Sequence, residues 1–308
     1  GAIETIKQRD YKIYEYQFNL ENISEVPNDP DWFFEDENLW TPESDSGTFA
    51  IGARELANSF TGKQNVLGAY VMNELPITKK FKTIYGVRME KVQNRYTGQN
   101  NLGTVSYNDT LVLDEIDILP SVNFVYALKK SMESNMNMRG SYSKTLARPS
   151  FKEISIAQIY DAITGITYNG NINLKETHVH NADLRWESFF GRTEVISLSG
   201  FYKKFYDPIE IVFLPNSPSN VQPTNTGVAD ILGFELELRK RIGFKEKEWN
   251  KLVTGFNFTY VNSRVDMTQV NLQKGQDTIT EFDYRQEVAR DGQTINQYRT
   301  MSGQSPYI

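Results

Sequence analysis

The sequence contains no cysteine and only two histidines among its 308 residues. The lack of cysteine excludes disulfide bonds, thiolate metal ligands and cysteine nucleophiles. No apolar run approaches the roughly 18 residues that a membrane-spanning helix needs. The net charge of −6 shows no basic excess, so the composition gives no reason to expect a nucleic-acid partner.

The residues that are present alternate between polar and apolar over long stretches. Residues 178–190 set apolar side chains against polar ones on alternate positions: Ala182, Leu184, Trp186 and Phe190 against Asn181, Asp183, Arg185 and Glu187. Residues 193–206 repeat the alternation, and only Gly191 and Arg192 separate the two runs, which predicts a tight hairpin. Strands of soluble sandwiches run about 5 or 6 residues. A tilted strand that crosses a bilayer needs about 9 to 11, so the length of these runs favours transmembrane strands.

Similar runs recur along the whole chain and predict about ten strands: residues 10–20, 64–75, 81–92, 116–129, 134–147, 178–190, 193–206, 227–241, 251–264 and 298–308. Short turns are predicted at residues 75–80, 129–134, 191–192 and 244–250. They alternate with long polar loops, which are predicted at residues 21–63, 93–115, 148–177, 207–226 and 265–297. Short periplasmic turns opposite long extracellular loops are typical of outer-membrane barrels. The pattern therefore predicts an all-β fold, a partial antiparallel up-and-down transmembrane β-barrel that forms one domain over residues 1–308.

The mean hydropathy of −0.52 is that of a soluble protein. It does not exclude a transmembrane barrel, because only every second residue of each strand meets lipid. The pattern alone leaves open a long antiparallel sheet of a soluble protein, such as a sandwich-forming surface adhesin. An outer-membrane barrel enzyme is a further alternative, with His178 and His180 as its only candidate bases, although no adjacent serine pattern supports it.

Several segments resemble the barrel domain of TonB-dependent outer-membrane receptors. They are "LPSVNFVYAL" (119–128), "NMRGSYSKTLARPSF" (137–151), "NADLRWESFF" (181–190), "FYKKFYDPIE" (201–210) and "GFELELRKRIG" (233–243). The closing "GQSPYI" resembles a signature of Bacteroidetes-type members, and "GNINLKE" (170–176) departs from the family pattern by placing Ile172 where a proline is usual. The resemblance covers most of the chain in the expected order.

The resemblance implies an outer-membrane receptor that takes up a scarce nutrient, which could be a ferric chelate, a glycan, a peptide or a cobalamin. It implies membrane lipid, a plug domain and the TonB complex as partners, with a surface lipoprotein as a further candidate partner. It implies no cofactor and no enzymatic activity. Barrels of this family have about 22 strands. The chain is therefore expected to be roughly the C-terminal half of such a barrel, without the plug and without the last strand.

One predicted long loop combines acidic and aromatic residues. Between residues 25 and 45 it carries the candidate ligand-binding residues Trp32, Phe33, Phe34, Asp36 and Trp40. Aromatic rings could stack on a sugar or a chelate, and carboxylates could bind cations or hydroxyl groups. The alternative is a solvated acidic loop whose aromatic side chains pack among neighbouring loops.

Charged residues on the predicted polar face are candidates for lining the lumen: Arg139, Arg185, Glu187, Glu235, Glu237 and Arg239. They could line a cargo path, or they could form cross-strand ion pairs and contact a plug. His178 and His180, two residues apart, are weak candidates for a metal site, because the sequence identifies no third ligand. No metal is therefore predicted.

Overall fold

The computed structural model describes residues 1–13, 15–23, 25–53, 55–131, 134–190, 193–242 and 252–304. These residues form one short α-helix, α1 (Glu281–Glu287), and eighteen strands: β1 (Ala2–Lys12), β2 (Glu15–Glu21), β3 (Gly47–Ala53), β4 (Ser59–Pro76), β5 (Phe81–Gln99), β6 (Ser106–Lys130), β7 (Ser134–Ala147), β8 (Gln158–Asp161), β9 (Ile166–Asn169), β10 (Thr177–Phe190), β11 (Glu194–Tyr206), β12 (Ile209–Leu214), β13 (Ser217–Asn225), β14 (Val228–Arg241), β15 (Val253–Asp266), β16 (Asn271–Lys274), β17 (Asp277–Thr280) and β18 (Tyr298–Arg299). None of the helices in these ranges is long and apolar enough to cross a membrane.

Ten of the strands form a single sheet in the order β1-β4-β5-β6-β7-β10-β11-β14-β15-β18. Every neighbouring pair in it is antiparallel. The strands from β4 to β15 in this sheet run 13 to 25 residues, as β11 and β6 do, well beyond the usual length of about 5 or 6. An all-β sheet of about ten long antiparallel strands is thus confirmed.

The strand register separates apolar and polar side chains onto opposite faces. One row across the sheet joins apolar side chains that are Cα partners on successive strands: Met138, Trp186, Leu198, Leu236 and Phe258. The next row along the strands is polar: Arg139, Arg185, Ser199, Glu235 and Thr259. Side chains of adjacent rows point to opposite sides of a sheet. We call these the apolar face and the polar face.

The apolar face is exposed. Leu184 is 57% exposed and Leu232 is 63% exposed, and within the described ranges no second sheet packs on this side. A soluble sandwich would bury such a face between two sheets. A contiguous apolar surface of this extent fits a hydrocarbon environment, so the fold does not support the adhesin alternative.

Strand boundaries at the long-loop end differ from the prediction. Most of residues 93–115, predicted as a loop, is strand, because β5 ends at Gln99 and β6 begins at Ser106. Ion pairs such as Arg95 with Asp109, 3.3 Å apart, replace the apolar side chains there. The polar–apolar alternation therefore ends, while backbone pairing between the strands continues.

The first predicted strand, at residues 10–20, was also misplaced. The main-sheet strand is β1 (Ala2–Lys12), whereas β2 pairs with β3 in a separate hairpin. The alternation at 10–20 thus spans parts of two elements. The last predicted strand, at 298–308, is represented by β18, and residues 305–308 lie outside the described residues.

The predicted short turn at residues 75–80 is confirmed by the hairpin of β4 and β5. The two-residue turn at 191–192, the turn at 244–250 and part of the turn at 129–134 lie outside the described residues.

The remaining predicted loops contain secondary structure of their own. Residues 21–63 hold β3, the end of β2 and the start of β4, and residues 265–297 hold β16, β17 and α1. Residues 148–177 and 207–226 are joined in one four-stranded sheet, β12-β13-β9-β8, in which β13 and β9 are parallel. Hydrogen bonding within and between loops thus satisfies backbone groups that a structureless loop would leave to water.

Residues 148–176 fold back onto the polar face. Ile156 and Ile172 pack there against a buried cluster formed by Phe60, Tyr96 and Ala157. Gly62 of β4 leaves space for this contact, since a Cβ atom there would lie 2.5 Å from the ring of Phe151. Ile172, at the position where the family pattern has proline, is therefore part of an apolar anchor.

Arg299 ties two loops together at the long-loop end. Its guanidinium lies 2.7 Å from Glu210 Oε2 and 2.8 Å from Glu281 Oε1, and the backbone N–H of Ser302 donates to Glu210 Oε1 at 2.7 Å. Burial opposes the charged form of Glu210, but Arg299 and Ser302 outweigh it and lower the pKa of Glu210 below its ordinary 4.5. The pair therefore stabilises the folded loops when Glu210 is ionised.

Exchanging Phe258 for Arg is expected to lower the free energy of unfolding by about 2 to 4 kcal/mol, because the charge would lie in hydrocarbon. The neighbouring Asn257→Arg variant places the same charge on the polar face beside its Cα partner Glu237 and should have little effect. Urea unfolding of the intact protein in phospholipid vesicles measures both. Equal losses for the two variants would contradict the assignment of faces.

Exchanging Arg299 for Met is expected to destabilise the joined loops by about 3 to 5 kcal/mol at pH 7, because it leaves the buried carboxylate of Glu210 without its cation and Glu281 with Arg285 alone. Because the pKa of Glu210 is lower in the folded state, the difference from the wild type should hold above pH 4.5 and shrink as the pH falls through the folded pKa. Hydrogen–deuterium exchange of β12 and α1 amides at several pH values measures this. Arg285→Met, which removes a half-exposed partner of Glu281, is the control and should change exchange much less.

Candidate functional site

Five of the six predicted lumen-lining charges form one ion-pair network on the polar face. The side chain of Glu187 is 6% exposed. Its carboxylate accepts hydrogen bonds from Nε of Arg139 at 2.6 Å and from Nε of Arg185 at 3.1 Å. Asn137 donates to the same carboxylate at 3.1 Å. We call this network, continued by Glu237 and Arg239, the charge ladder.

The ladder extends over the neighbouring strands through Glu237. Arg185 Nη2 lies 3.1 Å from Glu237 Oε2, and Arg239 Nη2 lies 3.5 Å from Glu237 Oε1. Glu235, the sixth predicted residue, has no ion-pair partner in the part of the chain that the structure describes. Cross-strand charge pairs stabilise adjacent strands, so the ladder contributes to the sheet, and a role in cargo passage stays a prediction.

A second polar cluster lies toward the long-loop end, where residues 148–176 meet the sheet. Arg148 donates from Nη2 to Glu90 Oε2 at 2.6 Å and from Nε to Glu176 Oε1 at 2.7 Å. Arg88 pairs with the other oxygen of Glu90. The first residue and the last of this segment are thus held together through one guanidinium, which also contacts β5.

Asp117 and His178 complete this cluster next to Glu176. His178 Nε2 lies 2.6 Å from Asp117 Oδ1. The other oxygens of the two carboxylates, Asp117 Oδ2 and Glu176 Oε2, are buried and have no hydrogen-bond partner. Burial and the neighbouring carboxylate of Asp117 raise the pKa of Glu176 to about 7. A cation or a proton between the carboxylates would satisfy both oxygens.

The structure gives the two histidines different partners. His180 Nδ1 lies 2.8 Å from the hydroxyl of Tyr142, and its ring packs edge-on against Tyr206 with centroids 5.5 Å apart. In the described ranges, the group of side chains that could hold a metal consists of Asp117, Glu176 and His178. The two-residue spacing of the histidines therefore does not by itself define the candidate site.

The acidic aromatic loop forms two short 3-10 turns, Pro30–Phe34 and Asp36–Asn38. Its aromatic residues divide into two groups. Trp32 and Phe33 are half-buried and pack edge-to-face with centroids 5.6 Å apart. Phe34 is 61% exposed and Trp40 is 37% exposed, and Asp36 is exposed as well. Phe34, Asp36 and Trp40 could therefore meet a ligand, which stays a prediction, while Trp32 and Phe33 support the loop.

Sequence reasoning missed Asp117, Glu176, Arg148 and Glu90. Asp117 and His178 are 61 positions apart, and Glu90 and Arg148 are 58 apart. Their proximity follows from strand register and from the way residues 148–176 fold back. A local signal existed for one pair, because Arg148 and Glu176 stand at the two ends of a single predicted loop.

Comparison with known proteins identifies the class to which this fold belongs. Residues 5–300 match the family described as "TonB dependent receptor-like, beta-barrel", so the chain belongs to the TonB-dependent receptor β-barrel family. The resemblance inferred from the sequence is confirmed at the level of the family. The proteins of this family are outer-membrane receptors, so the chain is assigned to the outer membrane. No curated protein matches the chain.

Solved structures similar to the chain are receptors and transporters of low sequence identity. The siderophore receptor PirA from Pseudomonas aeruginosa is 16% identical, with a TM-score of 0.46, over 71% of this chain and 45% of that one. The FrpB iron transporter from Neisseria meningitidis is 14% identical, with a TM-score of 0.42, over 85% and 36%. The Serratia marcescens hemophore receptor HasR, solved with its hemophore HasA and heme, is 9% identical, with a TM-score of 0.44, over 86% and 48%. The chain thus spans less than half the length of these receptors.

Exchanging Glu187 for Gln is expected to lower the free energy of unfolding of the barrel by about 1 to 3 kcal/mol, because Arg139 and Arg185 lose their shared carboxylate. Glu235→Gln, on the same face but outside the ladder, should change it by no more than about 0.5 kcal/mol. Denaturant titrations in detergent micelles compare the two. If both variants unfold at the same denaturant concentration, the ladder does not stabilise the sheet.

Proposed function

We propose that the chain is the barrel portion of an outer-membrane receptor that actively takes up a scarce nutrient. The observation that carries this proposal is the family match over residues 5–300. The structure is compatible with it, because an exposed apolar face and a charged opposite face suit a barrel with lipid outside and water inside. The cargo class, whether a ferric chelate, a glycan, a peptide or a cobalamin, is left to experiment.

In the proposed mechanism the polar face lines the lumen and meets a plug domain. Energy from the inner membrane, transmitted by TonB, displaces the plug and opens the path for cargo. Half-exposed charges of the ladder, such as Arg239 and Glu237, are placed to contact a plug. A surface lipoprotein covering the long loops is a further partner in this proposal, and lipid surrounds the apolar face.

A catalytic role is not part of the proposal. The family consists of transport receptors, and the two histidines are engaged elsewhere, His178 with Asp117 and His180 with Tyr142. In the described residues neither imidazole is hydrogen-bonded to a serine, which a barrel hydrolase with a histidine base would require. From the closing "GQSPYI" signature, the chain is expected to come from a Bacteroidetes-type member of the family.

Uptake of labelled cargo by cells that express the full-length receptor tests the proposal. A deletion strain should lose accumulation of one of the four cargo classes, and an uncoupler that collapses the proton gradient should abolish accumulation in the parent strain without preventing surface binding. Uptake that persists unchanged in the deletion strain for all four classes would contradict a role in nutrient import.

Removing the two exposed rings of the acidic aromatic loop, with the double variant Phe34→Ala and Trp40→Ala, is expected to weaken cargo binding about tenfold. The reason is that stacking contacts of two aromatic rings contribute roughly 1 to 2 kcal/mol. Leu102→Ala, which truncates an apolar side chain that is 84% exposed in another loop, is the matched control. Equilibrium binding of labelled cargo to whole cells measures both. Equal affinity of the double variant and the control would exclude these rings from the binding surface.

A further inference from the structure

Three side chains from two distant parts of the chain converge near the long-loop end of the polar face. Asp117 lies within β6, Glu176 immediately precedes β10 and His178 is the second residue of β10. One potential ligand atom from each lies within 4.8 Å of the other two. Two carboxylates and one imidazole are a ligand set that zinc and neighbouring divalent transition metals accept, and three protein ligands leave a position for water.

The burial and the unpaired oxygens of the two carboxylates indicate a binding site for a cation between them. The side chain of Asp117 is 5% exposed and that of Glu176 is 1% exposed. Each has one oxygen already engaged, Asp117 Oδ1 by His178 and Glu176 Oε1 by Arg148. The second oxygens, Oδ2 and Oε2, are buried without a donor. Buried carboxylate oxygens in this condition require a cation or a shared proton.

The neighbouring positive charges do not reach these two oxygens. Arg148 divides its guanidinium between Glu176 and Glu90, and Arg88 is occupied by Glu90. Lys144 acts on Asp117 electrostatically without forming an ion pair in the described structure. Within the described residues, the two free oxygens are therefore left without a cationic partner.

We propose that Asp117, Glu176 and His178 bind one divalent transition-metal ion of the zinc type. Asp117 Oδ2, Glu176 Oε2 and His178 Nε2 are the ligand atoms, at the bond lengths of about 2.0 to 2.2 Å that zinc requires. On binding, Nε2 gives up its hydrogen bond to Asp117 Oδ1, and the neutral imidazole carries its proton on Nδ1. The His178 side chain is 32% exposed and marks the route of entry. The bound ion clips residues 148–176, through Glu176, to β6 and β10, and so fixes the segment that covers the polar face.

The test uses the full-length receptor, purified in detergent and stripped with EDTA, titrated calorimetrically with ZnCl₂. The wild type should bind one zinc ion saturably. His178→Ala should weaken zinc binding at least tenfold. His180→Ala removes the other histidine, whose contacts are with Tyr142 and Tyr206, and should bind zinc as the wild type does.

Two measurements on the wild type test the proposal independently of the variants, which could fail to fold. Co²⁺ in place of zinc should give visible absorption bands of a mixed nitrogen and oxygen site, and zinc should protect residues 148–176 from proteolysis. Absence of stoichiometric zinc binding by the wild type would overturn the proposal and leave a proton shared by the two carboxylates. Equal loss in His178→Ala and His180→Ala would overturn it as well. Neither result would bear on nutrient uptake, which is measured independently.

Discussion

The structure depends on one constraint, which is that every backbone donor and acceptor in the membrane must be paired within the protein. A strand meets this condition only by hydrogen bonding to neighbours on both sides. The eight inner strands of the ten-stranded antiparallel sheet lie between two neighbours here. Once the backbone is paired, side chains alternate between two environments, and the sorting of Leu, Phe and Trp to one face and of Arg, Glu and Ser to the other follows.

The polar face carries two groups of ion pairs, one that joins neighbouring strands and one that joins a folded-back loop segment to a strand. Toward the short turns, the charge ladder shares one nearly buried carboxylate, Glu187, between two arginines from neighbouring strands. Toward the long loops, Arg148 uses a single guanidinium to hold both a strand residue and the end of a folded-back segment. Charges that would be costly in hydrocarbon thus serve as cross-strand and loop-to-strand contacts.

The long loops are structured because they pair with one another. Residues 148–177 and 207–226 contribute two strands each to a separate four-stranded sheet. Buried side chains such as Val270 and Leu272 form a small apolar core beneath another loop. Loops arranged in this way are held by backbone pairing and by packed side chains rather than left as unstructured connections.

The sequence by itself determined which residues share a face, because that depends only on their spacing along a strand. Leu184, Arg185 and Glu237 were placed correctly for this reason. The short turn at residues 75–80 and the family were also predicted correctly, from turn residues and from resemblance. Prediction was weaker where the alternation stopped. Polar residues such as Arg95 and Asp109 led to the prediction of a loop where β5 and β6 continue as strands. The run at residues 10–20 was predicted as one strand although it spans parts of β1 and β2.

Tertiary structure alone decided which distant residues meet. The contact of Asp117 with His178 depends on the register of three strands and on the path of residues 148–176, neither of which has a local signature. The same holds for the different partners of His178 and His180. Spacing along the chain determines the face of a side chain, whereas strand register and loop packing determine its neighbours, and a binding site consists of neighbours.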